Sequence, residues 1–395
     1  MARILDLVKF TNPRFYFLIG VASLGSLLFS STLRSDRPRI VASPLETILP
    51  QLSAEDTKKL PYPPDALPGA RDVQSPYGSI RVYEWGPEDG ERILLIHGIS
   101  TPSVALTDLA HKLVSKGCRV MLFDLFGRGY SSGPSPSTHN YDSCLYTTQI
   151  HLVLSSSALS WSRSNPFTVI GYSLGGALAL DFTSYFPHLV HALILLAPGG
   201  LIRHSHTTWK SRLLYSTLGI IPESLTERLV AKRLWTGPET ARTIEPEPAG
   251  AVVEKAETKR RGDAVYASSH HNLLPGNAAS SVSAVVDWQI QHHAGFVPAF
   301  ISSIRYAPVH GEQGRWNVVR ENIENGVGGL KKVWVVLGES DPIIVAEEIV
   351  EDATSALGEE NVGVTIVSGV GHEVAIERAE EILGVVGKAL GREGW

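Results

Sequence analysis

An α/β architecture, with a mostly parallel central sheet and helices on both faces, is expected on three grounds. Short apolar runs such as "RILLIHG" (92–98), "CRVMLFDL" (118–125) and "FTVIGYS" (167–173) have the length and composition of strands buried on both faces. Helical stretches alternate with them, as crossover connections between parallel strands require. The alternation stops near Leu201 and resumes near Lys331, which marks an insertion into one sheet.

The elements follow in order. "ARDVQS" and "SIRVYEWG", split by the turn "PYG", read as an antiparallel strand pair that opens the domain at Ala70. After the strand at 92–98, "VALTDLAHKLVSKG" is an amphipathic helix closed by Gly117, and the strand at 118–125 follows. A helix over Cys144–Ser162 leads to the strand at 167–173, then "LGGALALDFTSYF" as helix and "ALILLAPGG" as strand. Residues 70–200 thus form the first part of the core. The insertion, 201–330, carries helical patterning in "LLYSTLGIIPESLTERLVAKRLW" and "VVDWQIQHHAGFVPAFISSIRY", with a charged, Pro/Gly-interrupted excursion at 239–263 expected to be mobile. The second part of the core, 331–395, holds "KVWVVLGES", a helix, "VGVTIVSG" and the closing helix "EVAIERAEEILGVVGKAL".

Ahead of the core, Phe15–Leu33 carries no charge over 19 residues, nearly enough helix to span a bilayer. It lacks a small-x-small cleavage site, so a retained single-pass membrane anchor is expected, preceded by a tail at 1–14. Arg3, Lys9 and Arg14 with Asp6 precede it, and Arg34, Arg37 and Arg39 with Asp36 follow, a balance that gives no orientation. The proline-rich stretch 34–69 reads as a semi-rigid tether. A net charge of -5 speaks against a nucleic-acid partner, and two cysteines, Cys118 and Cys144, form neither a disulfide framework nor a thiolate metal site. They read as ordinary buried thiols.

Two G-x-S-x-G matches occur, around Ser131 and Ser173. Ser131 follows "DLFGRG" and precedes two prolines, so no helix starts there, and it reads as a loop serine. Ser173 stands between a strand and an Ala/Leu-rich helix, the setting of a nucleophile elbow. Gly171 and Gly175 fit that turn, where a side chain would strike the neighbouring strand or helix, and the helix N-terminus points N–H groups at an oxyanion forming beside Ser173. A serine nucleophile needs a base and an orienting carboxylate. Asp341 in "LGESDP" and His372 in "VSGVGHEV" each follow an apolar strand, so all three side chains are expected at the C-terminal edge of the sheet. Asp341 alone also suits a helix N-cap, and Glu339 is a second, weaker acid.

Over roughly Ala70 to Leu390 the chain resembles the α/β-hydrolase-fold serine hydrolases, through "LLIHGIS", "FDLFGRGYSSGP", "GYSLGG", "LGESDP" and "GVGHEV". The resemblance implies a catalytic triad of Ser173, Asp341 and His372, and an oxyanion hole built from the backbone N–H groups of Ile99 and Leu174. It implies that His97 and Gly98 support that loop from behind, that Asp124, Gly127 and Gly129 shape a structural turn, and that 201–330 is a helical cap over the pocket. No cofactor and no metal is expected: the histidine pairs 204/206, 270/271 and 292/293 lack ligand spacing and read as polar cap surface. Trp209, Trp235, Trp288 and Trp316 are expected to pack the cap.

The expected function is hydrolysis of carboxylic esters, with a small-molecule ester of lipophilic acyl character suggested by the anchor and cap. Carbon–carbon bond hydrolases, thioesterases and acyltransferases of the same fold use the same triad. From another class, a catalytically inactive, membrane-tethered binding protein is the competitor.

Overall fold

The computed structural model describes residues 39–203, 209–236, 270–392 and 394–395. The hydrophobic stretch at 15–33 and the charged excursion at 239–263 lie outside the described residues. Among those described, no helix is long and apolar enough to cross a membrane.

Strands are labelled β1 (Ile40–Val41), β2 (Ala70–Val73), β3 (Ile80–Trp85), β4 (Glu91–Ile96), β5 (Cys118–Phe123), β6 (Gly133–Pro134), β7 (Phe167–Tyr172), β8 (Val190–Leu196), β9 (Val333–Gly338) and β10 (Val362–Val367). The main helices are α1 (Thr107–Ser115), α2 (Ser143–Ser155), α3 (Leu174–Tyr185), α4 (Glu223–Leu234), α5 (Val282–His292), α6 (Phe296–Tyr306), α7 (Gln313–Glu324), α8 (Ala346–Leu357) and α9 (Ala379–Ala389).

The main sheet has eight strands in the order β10-β9-β8-β7-β4-β5-β3-β2. The six from β10 to β5 run parallel, and β3 and β2 add an antiparallel edge. The parallel strands are apolar runs because both faces are covered: β7 is buried along its whole length. From β4 the chain steps to β5 on one side and to β7, β8, β9 and β10 on the other. Right-handed crossovers therefore place α1 on one face and α2, α3, α7 and α8 on the other. The packing follows: α1 lies against α9, while α3 lies against α2 and α7, and α7 against α8. The reversal at β4 also opens a crevice beyond the C-terminal ends of β4 and β7.

Two expectations need correction. Residues 40–69 are not a free tether. β1 pairs with β6, Pro44 starts a helical turn at Pro44–Thr47, and Tyr62 and Leu67 are buried in the main core. The Tyr62 hydroxyl donates to the Tyr83 hydroxyl at 2.7 Å and reaches the Asp124 carboxylate at 3.2 Å. Two large anchors suffice to hold a proline-rich segment whose backbone has little entropy to lose. Second, the segment 201–330 is not uniform. Val230, Val286, Phe296, Val297, Phe300 and Ile301 from α4, α5 and α6 form a separate apolar cluster. Val285 and Trp288 of α5 and Ala299 of α6 also join the main core, and α7 buries Trp316 and Val319 there between α3 and α8, so α7 belongs to the helix layer of the sheet.

Candidate active site

Ser173 sits at the junction of β7 and α3 with φ 54° and ψ -116°, a left-handed conformation strained for a side-chain-bearing residue. Its N–H is held by the Leu196 carbonyl, and its carbonyl accepts from Gly176 and Gly199. The glycine flanks behave as the sequence suggests. A Cβ on Gly171 would stand 2.2 Å from the Gly175 carbonyl oxygen, and one on Gly175 would stand 2.1 Å from that of Ile96. Only backbone fits between the elbow and β4.

The loops after β9 and β10 bring the other two residues to the same edge. His372 Nε2 lies 2.9 Å from Ser173 Oγ, and Nδ1 lies 2.8 Å from Asp341 Oδ2. Asp341 is buried, and its Oδ1 accepts from the N–H groups of Ile343 and Ile344 at 2.8 and 2.9 Å. The N-cap-like role and the His372 contact thus fall on different oxygens of one carboxylate, so the two readings of Asp341 do not compete. Glu339 is exposed and accepts from the Gly369 N–H instead. Burial alone would lower the His372 pKa, but the charge and hydrogen bond of Asp341, with the charge of Glu373, outweigh it and the net shift is upward.

The loop after β4 lies against the serine: a Cβ on Gly98 would come 3.4 Å from Ser173 Cβ. His97 is buried, and burial drives its pKa down to about 3, so the ring is neutral. Its Nε2 accepts from the Leu125 N–H at 2.8 Å, which leaves the proton on Nδ1 to donate to the Gly98 carbonyl at 2.7 Å. The Gly98 carbonyl and the Ile99 N–H share one planar trans peptide and point in opposite directions, so this bond aims the Ile99 N–H. Leu174, the first residue of α3, has an N–H with no intrahelical acceptor. A serine–imidazole–carboxylate relay, set between the loop after β4 and the N-terminus of α3, is an arrangement able to carry out acyl transfer.

Ser131 is consumed structurally: its hydroxyl donates to the Asp124 carbonyl and accepts from the Arg81 N–H. Asp124 is buried and accepts from the Ser103 and Tyr130 N–H groups, which ties the two loops together. Several surface expectations are overturned. His293 is buried and neutral, its pKa lowered to about 4 by burial, and its Nε2 donates to the Ser131 carbonyl. Trp288 and Trp316 are buried but Trp209 and Trp235 are exposed, and Cys144 is exposed while Cys118 is buried. His204 and His206 lie outside the described residues, among which no group of His, Cys, Asp and Glu is placed to hold a metal. Sequence reading missed Arg128, Gln289 and Glu373, all of which prove to stand near the site. Arg128 lay in view inside "FGRGYS", while Gln289 has no local signature.

The alpha/beta hydrolase fold family model matches residues 91–379. The serine hydrolase-like protein of Danio rerio is 31% identical over 130 residues, 32% of this chain and 37% of that protein. An uncharacterised protein of Mycobacterium tuberculosis is 32% identical over 139 residues, 35% of this chain and 38% of that one. The chain thus matches well under half the length of these relatives. Among solved structures, a membrane phospholipase A described as a bacterial virulence factor superposes with a TM-score of 0.54 at 17% identity, covering 95% of this chain and 98% of that one. Carboxylesterase CesB of Bacillus subtilis gives 0.51 at 16% identity, covering 81% and 90%. At such identities these two share the fold. With the family model spanning most of its length, the chain belongs to the alpha/beta hydrolase fold family.

Proposed function

We propose that this hydrolase cleaves carboxylic esters through an acyl-enzyme on Ser173. The observation that carries the reading is the continuous relay from Ser173 Oγ through His372 to Asp341, at 2.9 and 2.8 Å. His372 takes the serine proton as Oγ attacks the acyl carbon, and then protonates the departing alkoxide. Asp341 holds the imidazole and offsets its developing charge. The tetrahedral oxyanion is met by the Ile99 and Leu174 N–H groups. Water, deprotonated by His372, clears the acyl group and regenerates the serine.

A lipophilic acyl group is favoured because Ile99 packs against both the main core and the apolar cluster of α4, α5 and α6. In this reading those helices serve as the cap, and the uncharged stretch at 15–33 holds the enzyme at a membrane.

Fluorophosphonate labelling tests the site, followed by p-nitrophenyl esters of rising chain length. Labelling should persist in Ser131→Ala and vanish in Ser173→Ala and His372→Ala. A well-folded wild type that neither labels nor turns over esters would sink the hydrolytic reading in favour of a binding protein.

A further inference from the structure

Arg128 is fully buried, and every one of its donors is used on a neutral acceptor. Nε donates to the Ile99 carbonyl at 3.1 Å. One terminal nitrogen donates to the Phe126 carbonyl and the Tyr146 hydroxyl at 2.9 and 3.1 Å. The other donates to the Ala299 carbonyl at 3.3 Å and Ser303 Oγ at 2.8 Å, both on α6. Gln289 of α5, also fully buried, donates through Nε2 to the Ser100 carbonyl at 2.9 Å and accepts the Gly129 N–H on Oε1 at 2.8 Å.

With His97 on the Gly98 carbonyl, three consecutive carbonyls of the loop after β4 are each held by a buried side chain. A trans peptide is planar, so His97 on the Gly98 carbonyl fixes the Ile99 N–H, while Arg128 and Gln289 fix the next two peptide planes and so hold the backbone that leaves Ile99. Two of the three pins come from, or lead to, the helices inserted at 201–330. Burying a cation without a carboxylate is costly, and a fully used guanidinium is the way that cost is contained. Stabilising the Ser173 elbow does not call for such an arrangement; holding the loop beside it does.

We propose that Gln289 and Arg128 are positioning residues through which α5 and α6 hold the loop that carries the Ile99 N–H in place beside Ser173, making these helices a fixed wall of the active site. The proposal rests on the acyl-enzyme reading of Ser173. It goes beyond that reading by assigning part of the inserted segment to transition-state binding, separate from substrate choice. Access to the serine then does not require α5 and α6 to lift, since lifting them breaks the Gln289 contacts with Ser100 and Gly129 and the Arg128 contacts with Ala299 and Ser303 together.

The experiment compares a short-chain aryl ester with its thionoester, in which sulfur replaces the carbonyl oxygen and fits an oxyanion hole poorly. Full-length wild type, Ser173→Ala, Gln289→Met and Gln289→Ala are assayed, with thermal melting as the check on folding. Methionine keeps the volume without either hydrogen bond, and alanine leaves room for water at both backbone groups. Wild type should turn over the oxygen ester and strongly prefer it, and Ser173→Ala should turn over neither. If wild type fails at this step, the acyl-enzyme reading falls, independently of Gln289. Both Gln289 variants should lose roughly tenfold in kcat on the oxygen ester with little change in KM, and much less on the thionoester, so the preference collapses. A folded variant that keeps the preference within about twofold of wild type would overturn the proposal. So would loss of folding in both, which would make Gln289 a determinant of stability alone.

Discussion

Gly175 approaches Ile96 so closely that a Cβ on the glycine would stand 2.1 Å from the Ile96 carbonyl oxygen and 2.6 Å from that of His97. The helix behind the serine therefore touches the strand end that carries the oxyanion loop. The elbow at the end of β7 and the loop after β4 are held in register by backbone contact, with no side chain between them. Gly175→Ala must push these elements apart. A shift of the order of 1 Å at reacting groups costs about 10²-fold in rate, and overpacking of this kind costs about 1–3 kcal/mol in stability. Turnover of a p-nitrophenyl ester and urea unfolding of the same sample would check both numbers. Retention of wild-type kcat would show that the contact is slack.

Glu373 follows His372 and has a buried carboxyl oxygen with no hydrogen-bond partner among the described residues. Burial pushes its pKa up to about 8, with the His372 charge opposing and Glu377 and Asp341 adding to the rise. The folded state therefore holds a proton that the unfolded chain releases near the ordinary glutamate range. Stability from this group is full at low pH and is lost as pH rises toward and through about 8. Glu373→Gln should remove that loss, so its melting temperature should gain on wild type at pH 8.5 more than at pH 5. Parallel profiles of melting temperature against pH for the two proteins would refute this linkage.

His97 and His293 have the opposite sign. Both are buried and neutral, with pKa values lowered to about 3 and about 4. Each contributes stability that is present above the unfolded histidine pKa near 6.5 and is lost as pH falls toward the folded value. Each can contribute on the order of 2–3 kcal/mol to acid unfolding between pH 6.5 and pH 4. His293→Gln should flatten the stability–pH curve over that window, whatever it does to stability at pH 7. Replacing His97 by leucine should instead strand the Gly98 carbonyl and the Leu125 N–H, costing about 2–4 kcal/mol and slowing catalysis through the loop. An unchanged slope for His293→Gln in urea titrations across the window would exclude its share.

Much of this was legible in the sequence because it depends on local signals. The strand–turn–helix around Ser173, the apolar strands and the order of Ser173, Asp341 and His372 need only neighbours in the chain. The clamp on the oxyanion loop was not legible, since Gln289 meets Ser100 across 189 positions and Arg128 meets Ser303 across 175. Nothing in a buried glutamine's own neighbourhood announces the carbonyl it will hold. Residues 40–69 misled for the reverse reason. Their proline content is a local signal for an extended tether, and it outweighed two anchors, Tyr62 and Leu67, whose pockets are built by distant strands. His293 beside His292 looked like surface for the same reason, until the Ser131 carbonyl was placed against it.

The two oxygens of Asp341 separate orientation from structure. Oδ2 faces His372 Nδ1 at 2.8 Å, while Oδ1 takes the Ile343 and Ile344 N–H groups. Asparagine can present its oxygen to those two N–H groups and so keep the loop. It then places an amide where the imidazole needs an acceptor, favouring the wrong tautomer and removing the charge that stabilises imidazolium. Asp341→Asn should therefore melt within a few degrees of wild type yet lose roughly 10³–10⁴-fold in kcat. Asp341→Ala removes both functions and should add about 1 kcal/mol of destabilisation from the lost backbone contacts. The informative quantity is the difference between the two variants. Equal stability with equal loss of rate would mean that Oδ1 holds nothing of consequence. A fully active Asp341→Asn would mean that some other group, and not this carboxylate, orients His372.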